Sequence, residues 1–465
     1  MMPICLIPHP MHAELQAGGM ELARAWHCRA AAPFEEFLPL LAELGSRFAL
    51  PWRPGDGEGF LLAADPKLPE NGFRIRLTPR QTTLEAADPA GMRCALGALE
   101  QLLFSALIAG PAAARLPLGV VVDAPRFPWR GFMLDSARHF QPVETVLEVL
   151  TALAKFRINR FHWHLCDNEG WRIDLSPALP TPDYFLNTRG VYSADDIARI
   201  AGRAKSLGIE IVPEFDIPGH SGALLRLHPE CSCSGQPGAA ELCIGSPAAR
   251  ALAKRILARI MELFPDSRFI HLGGDEAETA AWEKCPVCAE ALRTRKLAGW
   301  RELEHDFMLE MIDFVLAAKR TPIVWGLCSD LAWPPEAIVQ CWLDIREPIR
   351  VAAQKCRSIY SVHTSLYFDY PENPAEPHES WMFELSRSGV YMTDPHIIWP
   401  EKVADSVQGV EGCLWTETVP PWRVMAKLLP RLPALAECAW SPREGKDWAD
   451  FARREAHLRA AGYFG

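Results

Sequence analysis

The chain has 465 residues, of which 49% are hydrophobic and 23% charged, a balance typical of a globular protein. Its formal net charge is -10 and it contains no basic run, which argues against nucleic acid and anionic membrane surfaces as partners. No stretch approaches the ~20 apolar residues of a membrane-spanning helix, and the length predicts a large domain beside a smaller one.

The first predicted elements form a small α/β domain, which we place at residues 1–123. Apolar and polar side chains alternate over residues 73–84, as in a strand. Residues 91–108 then carry leucines at helical spacing.

Residues 124–465 are predicted to form a (β/α)8 TIM barrel. Short apolar runs alternate there with helical patterns. The eight predicted strands lie at 130–135, 158–165, 209–214, 268–273, 322–325, 337–342, 357–362 and 410–415. The clearest predicted helices lie at 142–156, 194–207, 247–264, 301–319 and 422–437.

The most informative motif is HLGGDE at 271–276. It follows a strand-like run and leads through two glycines into the adjacent carboxylates Asp275 and Glu276. In an enclosed site two neighbouring carboxylates do not both ionise readily, so one tends to keep its proton, as a general acid requires. The alternative is a pair that caps the start of a helix. The motif alone leaves both interpretations open.

Polar and aromatic motifs also follow four other predicted strands. They are DSARHF at 135–140, HWHLCD at 162–167, PEFDIPGH at 213–220 and CLWTE at 413–417. Polar side chains at five strand ends cost stability unless they converge on a site. The carboxyl ends of the strands are where TIM barrels carry their active sites, so one site is predicted there.

In this order, the motifs resemble those of glycoside hydrolase family 20, the β-N-acetylhexosaminidases. The resemblance extends from Arg130 to about Ser441 and, more weakly, through residues 91–103. It implies a retaining exo-enzyme that releases terminal non-reducing GlcNAc or GalNAc from glycoconjugates. In this family the acetamido oxygen of the substrate is the nucleophile and an oxazolinium intermediate forms. The implied partner is a carbohydrate with a terminal β-linked N-acetylhexosamine, and no cofactor is implied.

The resemblance also implies a role for each matching residue. Glu276 is the expected general acid, and Asp275 is expected to orient the acetamido N–H and stabilise the intermediate. Tyr367 is expected to hold the acetamido carbonyl oxygen, while His220 and Asp167 support the proton balance of the acid. The expected substrate-binding residues are Arg130, Trp325, Trp342, Asp369, Trp415 and Glu417.

One position departs from the family pattern. Two aspartates often follow the HWH segment, but here the second position is Asn168, and we align Asp167 with the functional aspartate. His162 and His164 lie two residues apart and so share one face of the strand. A structural role in the core is expected for both histidines.

Five cysteines raise a separate question. Cys285 and Cys288 form a CPVC motif, and Cys231, Cys233 and Cys243 precede it. Four thiolates from this set could close a structural zinc site. The two groups are far apart in sequence, so a disulfide and free thiols are alternatives that the sequence leaves open.

Two other functions would use the same residues. A metal-dependent barrel hydrolase would bind zinc through His162, His164, His220 and Asp275. Its His-x-His is expected on the first barrel strand, whereas here it falls on the second. A non-catalytic amino-sugar-binding protein could keep the same fold and pocket, but it would not need Asp275 together with Glu276.

A cytoplasmic location is expected. The start of the sequence lacks a basic region followed by a long apolar one, so no secretory signal is predicted. The 14 cysteines are spread over the chain instead of forming the dense framework of a small secreted domain.

Overall fold

The computed structural model describes residues 4–108, 110, 113–326, 331–396 and 405–464. It divides into two compact units: Met1–Pro128 with Lys155–Arg157 and Leu432–Gly465, and Trp129–Ala154 with Ile158–Arg431. The predicted boundary at 123/124 differs from this division in three places, one of which is the short segment Lys155–Arg157 that groups with the first unit. The first long segment extends to Pro128, and the C-terminal segment groups with the first unit because Trp440 packs into that unit's core.

The first unit contains a seven-stranded sheet with the order β1-β7-β5-β6-β4-β2-β3. Its strands are β1 (His12–Glu21), β2 (Trp26–Ala30), β3 (Trp52–Pro54), β4 (Gly59–Ala64), β5 (Phe73–Leu77), β6 (Gln81–Ala86) and β7 (Arg115–Asp123). Helices α1 (Leu38–Arg47) and α2 (Pro89–Leu107) contribute to its core. The alternating segment 73–84 is a hairpin and not one strand, because the chain reverses where Thr78 Oγ1 donates to the Gln81 carbonyl at 2.8 Å.

The second unit is a closed barrel of eight parallel strands, which confirms the predicted TIM barrel accompanied by a small α/β domain. Each strand pairs with the next along the chain, and the last pairs with the first. The strands are β8 (Trp129–Asp135), β9 (Arg160–His164), β10 (Glu210–Glu214), β11 (Phe269–His271), β12 (Thr321–Trp325), β13 (Ile338–Cys341), β14 (Arg357–Tyr360) and β15 (Val407–Leu414).

Helices follow most of the barrel strands. They are α3 (Val143–Lys155), α4 (Ala194–Leu207), α5 (Gly222–Leu227), α6 (Pro247–Leu263), α7 (Ala280–Glu283), α8 (Pro286–Arg295), α9 (Trp300–Ala317), α10 (Glu347–Ala353), α11 (His363–Leu366), α12 (Arg387–Met392) and α13 (Val424–Leu428). The C-terminal segment adds α14 (Leu432–Trp440) and α15 (Trp448–Ala460). Across the described part of the chain, none of the helices has the length and apolarity needed to cross a membrane.

One predicted helix, 422–437, is wrong. The chain forms α13 and α14 in its place, separated between Leu428 and Leu432. Pro430 lies in the gap, and proline both lacks the N–H that a helix needs and disfavours helical backbone in the residue before it.

The barrel interior changes character along the strands. An apolar cluster of Trp129, Val212, Ile323, Ile338 and Ile359 fills part of it. The carboxyl ends carry buried polar or aromatic side chains instead: Asp135, His164, Glu214, His271 and Trp325. Glu214 is in register with His164 on one side and His271 on the other, so neighbouring strands bring these groups together.

Candidate active site

Glu214, the last residue of β10, is the centre of a buried group of three histidines and one tryptophan. Its carboxylate lies 2.5 Å from Nδ1 of His164, 3.1 Å from Nε2 of His162 and 3.2 Å from Nδ1 of His271. The indole N–H of Trp325 also donates to it, at 2.7 Å. Burial opposes its ionisation, but the three histidines hold the pKa of Glu214 well below its usual range. The ionised Glu214 carboxylate therefore fixes the Trp325 ring through the hydrogen bond to its indole N–H.

The segment after β11 turns sharply at two glycines before it reaches Asp275 and Glu276. Gly273 has φ 67°, and a Cβ there would lie 1.7 Å from Oδ1 of Asp216. The N–H of Gly274 donates to the same oxygen at 3.2 Å. Glu276 itself has φ 52°, a left-handed conformation that non-glycine residues seldom adopt. Asp216 therefore anchors a tight turn that carries both carboxylates.

Asp275 is a buried carboxylate with an unused acceptor. Its side chain is 10% exposed, and Oδ1 has no hydrogen-bond partner among the residues that the structure describes. Burial, followed by the negative charge of Asp216, raises its pKa well above the usual range. Buried acceptors are normally satisfied, so Oδ1 is suited to receive an N–H from a ligand.

Glu276 is 59% exposed and reaches towards His220, with Oε2 3.6 Å from Nε2 of the imidazole. The other ring nitrogen of His220 donates to Asp216 at 2.7 Å. The interaction with His220 lowers the pKa of Glu276. Burial opposes the charge on His220, but Asp167 and Asp216 raise its pKa well above its usual value. Of the two adjacent carboxyl groups, Asp275 therefore holds its proton more strongly before substrate binds.

Arg138 is a site residue that sequence reasoning missed. Its guanidinium lies 2.8 Å from Asp167 and sits over the Trp415 ring, 5.0 Å from the ring centroid. Its other acidic neighbours, at 3.3 to 3.9 Å, are Asp135, Glu169 and Glu417. A side chain with five donors held among carboxylates is suited to bind sugar hydroxyls in a fixed geometry.

Arg130 lies near the start of β8, away from the strand end that carries this group, and its expected role in substrate binding stays a prediction. It is the second residue of β8, and its backbone N–H is bonded to the Asn159 side chain at 3.0 Å. The five residues from Arg130 to Asp135 span about 16 Å of strand. Both arginines were visible in the sequence, but only Arg138 follows the carboxyl end of the strand.

Asp167 lies in the network where the sequence predicted it. It is 3.0 Å from Nε2 of His164, and it forms a compact group with Asp216 and His220. Asn168 makes a different contact: its Oδ1 accepts a hydrogen bond from the N–H of Gly222, at the start of α5, at 2.9 Å. Asn168 thus bonds the start of α5, whereas Asp167 lies among the histidines and acids of the site.

The residues after β14 and β15 add polar groups to the site. Asp369 is fully buried, and neither of its carboxylate oxygens accepts a side-chain hydrogen bond among the described residues. Burial and the charge of Glu417 raise its pKa well above the usual range. Burial also raises the pKa of the Tyr367 hydroxyl, which keeps that group a donor. Tyr367 is positioned by a bridge to Cys413 of β15.

Aromatic rings surround these groups. The Trp415 centroid lies 5.9 Å from that of Trp325 and 6.1 Å from that of Tyr367. Trp342 is half-buried, and its indole N–H donates to the Gly326 carbonyl at 3.1 Å. It connects to Tyr367 through the ring of His363, which lies 6.5 Å from Trp342 and 6.0 Å from Tyr367.

Two histidines of the site face carboxylates with their ring nitrogens. His164 faces Glu214 with one ring nitrogen and Asp167 with the other. His162 likewise faces Glu214 and Glu411, the latter at 2.8 Å from Nδ1. A metal ligand must present a free nitrogen lone pair, so a metal on His164 would have to break one of its two hydrogen bonds. His164 is therefore poorly placed to be the zinc ligand that the metal-dependent hydrolase would require.

Glu214, Asp216 and Glu411 were also missed. The first two stand in the PEFDIPGH motif, from which sequence reasoning selected only His220. Glu411 lies within β15, where its carboxylate binds His162 and accepts from the Gln340 amide at 2.8 Å. An acid within a predicted barrel strand or just after its end is the signal that would have found all three.

Comparison with known proteins identifies relatives of both the sequence and the fold. Residues 127–443 match the family model "Glycosyl hydrolase family 20, catalytic domain". A β-hexosaminidase of Akkermansia muciniphila is 29% identical over 419 residues, which cover 85% of this chain and 84% of the relative. The GH20 β-N-acetylhexosaminidase structure from Streptomyces coelicolor A3(2) has a TM-score of 0.85 and 26% identity and covers 99% of this chain and 98% of that one. A Vibrio harveyi exo-β-N-acetylglucosaminidase, solved with N-acetylglucosamine, shares the fold with a TM-score of 0.88 at 24% identity, over 99% of this chain and 77% of that chain.

Proposed function

Since the chain belongs to glycosyl hydrolase family 20 and is a glycoside hydrolase of the β-hexosaminidase type, we propose that it acts by substrate-assisted catalysis. It removes terminal non-reducing β-linked N-acetylhexosamine from glycoconjugates with retention of configuration. The acetamido oxygen of the substrate attacks C1, and a cyclic oxazolinium intermediate forms and is opened by water.

The observation that carries this proposal is the contrast between Asp275 and Glu276. One is buried with a free acceptor oxygen, and the other is largely exposed beside His220. A retaining enzyme with its own nucleophile needs two carboxyl groups about 5 to 5.5 Å apart across the scissile bond. Consecutive residues with such different surroundings suit one orienting group and one acid instead, which leaves the nucleophile to the substrate.

Asp275 acts on the acetamido group. Its unused Oδ1 accepts the acetamido N–H and turns the carbonyl oxygen towards C1. As the amide cyclises, positive charge develops on the ring that contains this nitrogen. The carboxylate then stabilises that charge in a site from which water is largely excluded, and the same positive charge favours the ionised form of Asp275 despite its raised pKa.

Tyr367 and the aromatic rings hold the same group. The Tyr367 hydroxyl remains protonated because burial raises its pKa, so it donates to the acetamido carbonyl oxygen. Trp325, Trp342 and Trp415 provide the apolar walls against which the methyl group and the sugar face pack. This arrangement limits the conformations of the acetamido group and so lowers the entropic cost of cyclisation.

Glu276 protonates the leaving group. Before substrate binds, its interaction with His220 lowers its pKa. A bound sugar covers this side chain and removes its water, which raises the pKa so that Glu276 carries the proton for the glycosidic oxygen. After departure of the leaving group, the carboxylate takes a proton from the water that opens the oxazolinium ring.

Arg138, Asp369 and Glu417 bind the ring hydroxyls. Arg138 offers charged donors, while the carboxylates offer acceptors that lie in or beside the same acidic group. Charged hydrogen bonds are short and directional, and they fix the terminal sugar so that C1 faces the acetamido oxygen.

The proposal is tested by hydrolysis of p-nitrophenyl β-N-acetylglucosaminide beside p-nitrophenyl β-glucoside, with the product anomer followed by NMR. We expect cleavage of only the acetamido substrate, with the β-anomer released first. Cleavage of both glycosides at similar rates, or initial release of the α-anomer, would contradict a substrate-assisted retaining mechanism.

A further inference from the structure

Four cysteine side chains converge outside the active site. Cys233 and Cys243 come from the loop between α5 and α6, and Cys285 and Cys288 from the start of α8. All four sulfur atoms lie within 4.8 Å of one another. Three of the side chains are buried, and Cys233 is half-buried.

Three of the six sulfur–sulfur distances match the edges of a tetrahedral metal site. Sγ of Cys243 lies 3.7 Å from that of Cys285 and 3.6 Å from that of Cys288, and Cys233 lies 3.7 Å from Cys288. With zinc–sulfur bonds of ~2.3 Å, the edges of a regular tetrahedron of sulfurs are about 3.8 Å long. Disulfide sulfurs would be only ~2.05 Å apart.

The chain builds this arrangement through local backbone structure. A bridge between Ser232 and Leu242 closes the loop, and Cys233 and Cys243 each directly follow one of the two bridged residues. Cys285 is the N-cap of α8 and Cys288 lies in its first turn. The positive end of a helix stabilises thiolates, the form of cysteine that binds metals.

A glycine allows the two segments to approach. A Cβ on Gly245 would lie 2.6 Å from Cα of Cys288, so any larger residue would push the loop away from α8. Cys231, the remaining cysteine of the five that the sequence suggested as zinc ligands, is buried but is not a member of the group of four.

We propose that Cys233, Cys243, Cys285 and Cys288 bind one Zn²⁺ as four thiolates. Each thiol releases its proton when the metal binds. All four coordination positions are filled by protein, which is the arrangement of a structural and not a catalytic zinc site.

The site would fasten together two loops that carry active-site residues. The cysteine loop is bonded to the loop after β10, since Leu242 N–H donates to the Pro218 carbonyl at 2.8 Å. The segment after β11 is also bonded to the cysteine loop, since the indole N–H of Trp282 donates to the Leu242 carbonyl at 2.9 Å. His220 belongs to the loop after β10, and Glu276 belongs to the segment after β11. Zinc would therefore stabilise their mutual position without touching substrate.

The test is the metal content of the full-length protein, purified without added metal and dialysed against metal-free buffer. We expect about one zinc per chain, as a closed four-thiolate site binds tightly. Cys243→Ser should lose the zinc, whereas the matched control Cys231→Ser should retain it. Zinc absent from the wild-type protein, or retained equally by both variants, would overturn the proposal.

A second measurement on the wild-type protein does not depend on whether Cys243→Ser folds. Exchange of the metal for Co²⁺ should give the intense visible bands of tetrahedral cobalt together with thiolate charge-transfer absorption in the near ultraviolet. A strong chelator should then abolish both signals, lower the melting temperature and expose four further thiols to Ellman's reagent. Absence of these bands, or a thiol count that rises only after reduction of the unfolded protein, would contradict zinc binding, the latter in favour of disulfides.

Discussion

At the scale of single residues, the site depends on what surrounds each carboxylate. Asp275 is buried near other acids, Glu276 is exposed beside an imidazole, and Glu214 is surrounded by histidines. Desolvation raises the pKa of a carboxyl group, and a neighbouring cation lowers it. In the proposed mechanism these three acids of similar chemistry have three roles: Asp275 orients the acetamido group, Glu276 transfers a proton, and Glu214 fixes the Trp325 ring.

Replacement of Glu276 separates acid assistance from binding. Glu276→Gln should reduce kcat about 10²- to 10⁴-fold on substrates with poor leaving groups. The loss should be much smaller on aryl glycosides with very good leaving groups, because their departing oxygen needs no proton. The measurement is kcat on a series of aryl N-acetylglucosaminides of graded leaving-group acidity. An equal loss across the series would argue against Glu276 as the acid.

The two arginines near β8 provide a matched pair. Arg138→Lys keeps the charge among the acids but loses the planar set of donors, so kcat/KM should fall about 100-fold, equivalent to about 2.7 kcal/mol. Arg130→Lys, at the other end of the strand, should leave KM near its wild-type value and change mainly the melting temperature. Steady-state kinetics of both variants decide the assignment, and a selective rise of KM in the Arg130 variant would reverse it.

At the scale of elements, the turn after β11 is the critical connection. Gly273 must let Asp216 approach its Cα at a positive φ, and an added methyl group would occupy the position of the Asp216 carboxylate. Displacement of Asp216 would shift both Asp275 and His220, because it touches the turn and the imidazole. The turn thus transmits the position of one loop to the next.

Gly273→Ala is therefore expected to lower kcat/KM about 10²-fold, the effect of moving reacting groups by about 1 Å. Gly202→Ala is the control. Gly202 lies in α4 with open space around it, so its replacement should stabilise the protein by about 0.5–1 kcal/mol and leave kinetics unchanged. Melting curves and kinetics on both variants test this, and normal activity of Gly273→Ala would show that the turn tolerates displacement.

The elements themselves were predictable, and several of the contacts were not. The barrel strands stand out because short apolar runs alternate with helical patterns, and α4 matches its predicted range of 194–207. The break at Pro430 follows from proline chemistry but was overlooked. The choice of Arg130 over Arg138 depended on where β8 ends, and the contact of Asp216 with Gly273 joins residues 57 positions apart in sequence. Such pairings arise from the closed barrel, and a local pattern does not contain them.

At the scale of the whole molecule, the buried ion pairs couple stability to pH. Burial opposes the charge on His162, but Glu214 and Glu411 raise its pKa to about 9. The pKa of an unfolded histidine is about 6.5. Between these values the folded protein binds more protons than the unfolded chain, so the stabilisation is complete below pH ~6.5 and is lost as the pH rises towards 9.

The melting temperature should therefore fall between pH 6.5 and 9, with a contribution from His162 of about 3 kcal/mol over the interval. His162→Asn should remove part of this slope. His378→Asn, at an exposed loop position, is the control and should keep it. A wild-type protein equally stable across this interval would contradict the raised pKa of His162. The cytoplasmic location expected from the sequence stays a prediction.

The most direct test of substrate assistance is a series of p-nitrophenyl β-glucosaminides whose N-acetyl group carries zero, one, two or three fluorine atoms. Fluorine withdraws electrons from the carbonyl oxygen and weakens it as a nucleophile. If that oxygen attacks C1, kcat/KM should fall steeply, by about a hundredfold or more over the series, which corresponds to about 2.7 kcal/mol. A rate nearly independent of fluorine content would show that the acetamido oxygen is not the nucleophile, and the roles given to Asp275 and Tyr367 would have to be withdrawn.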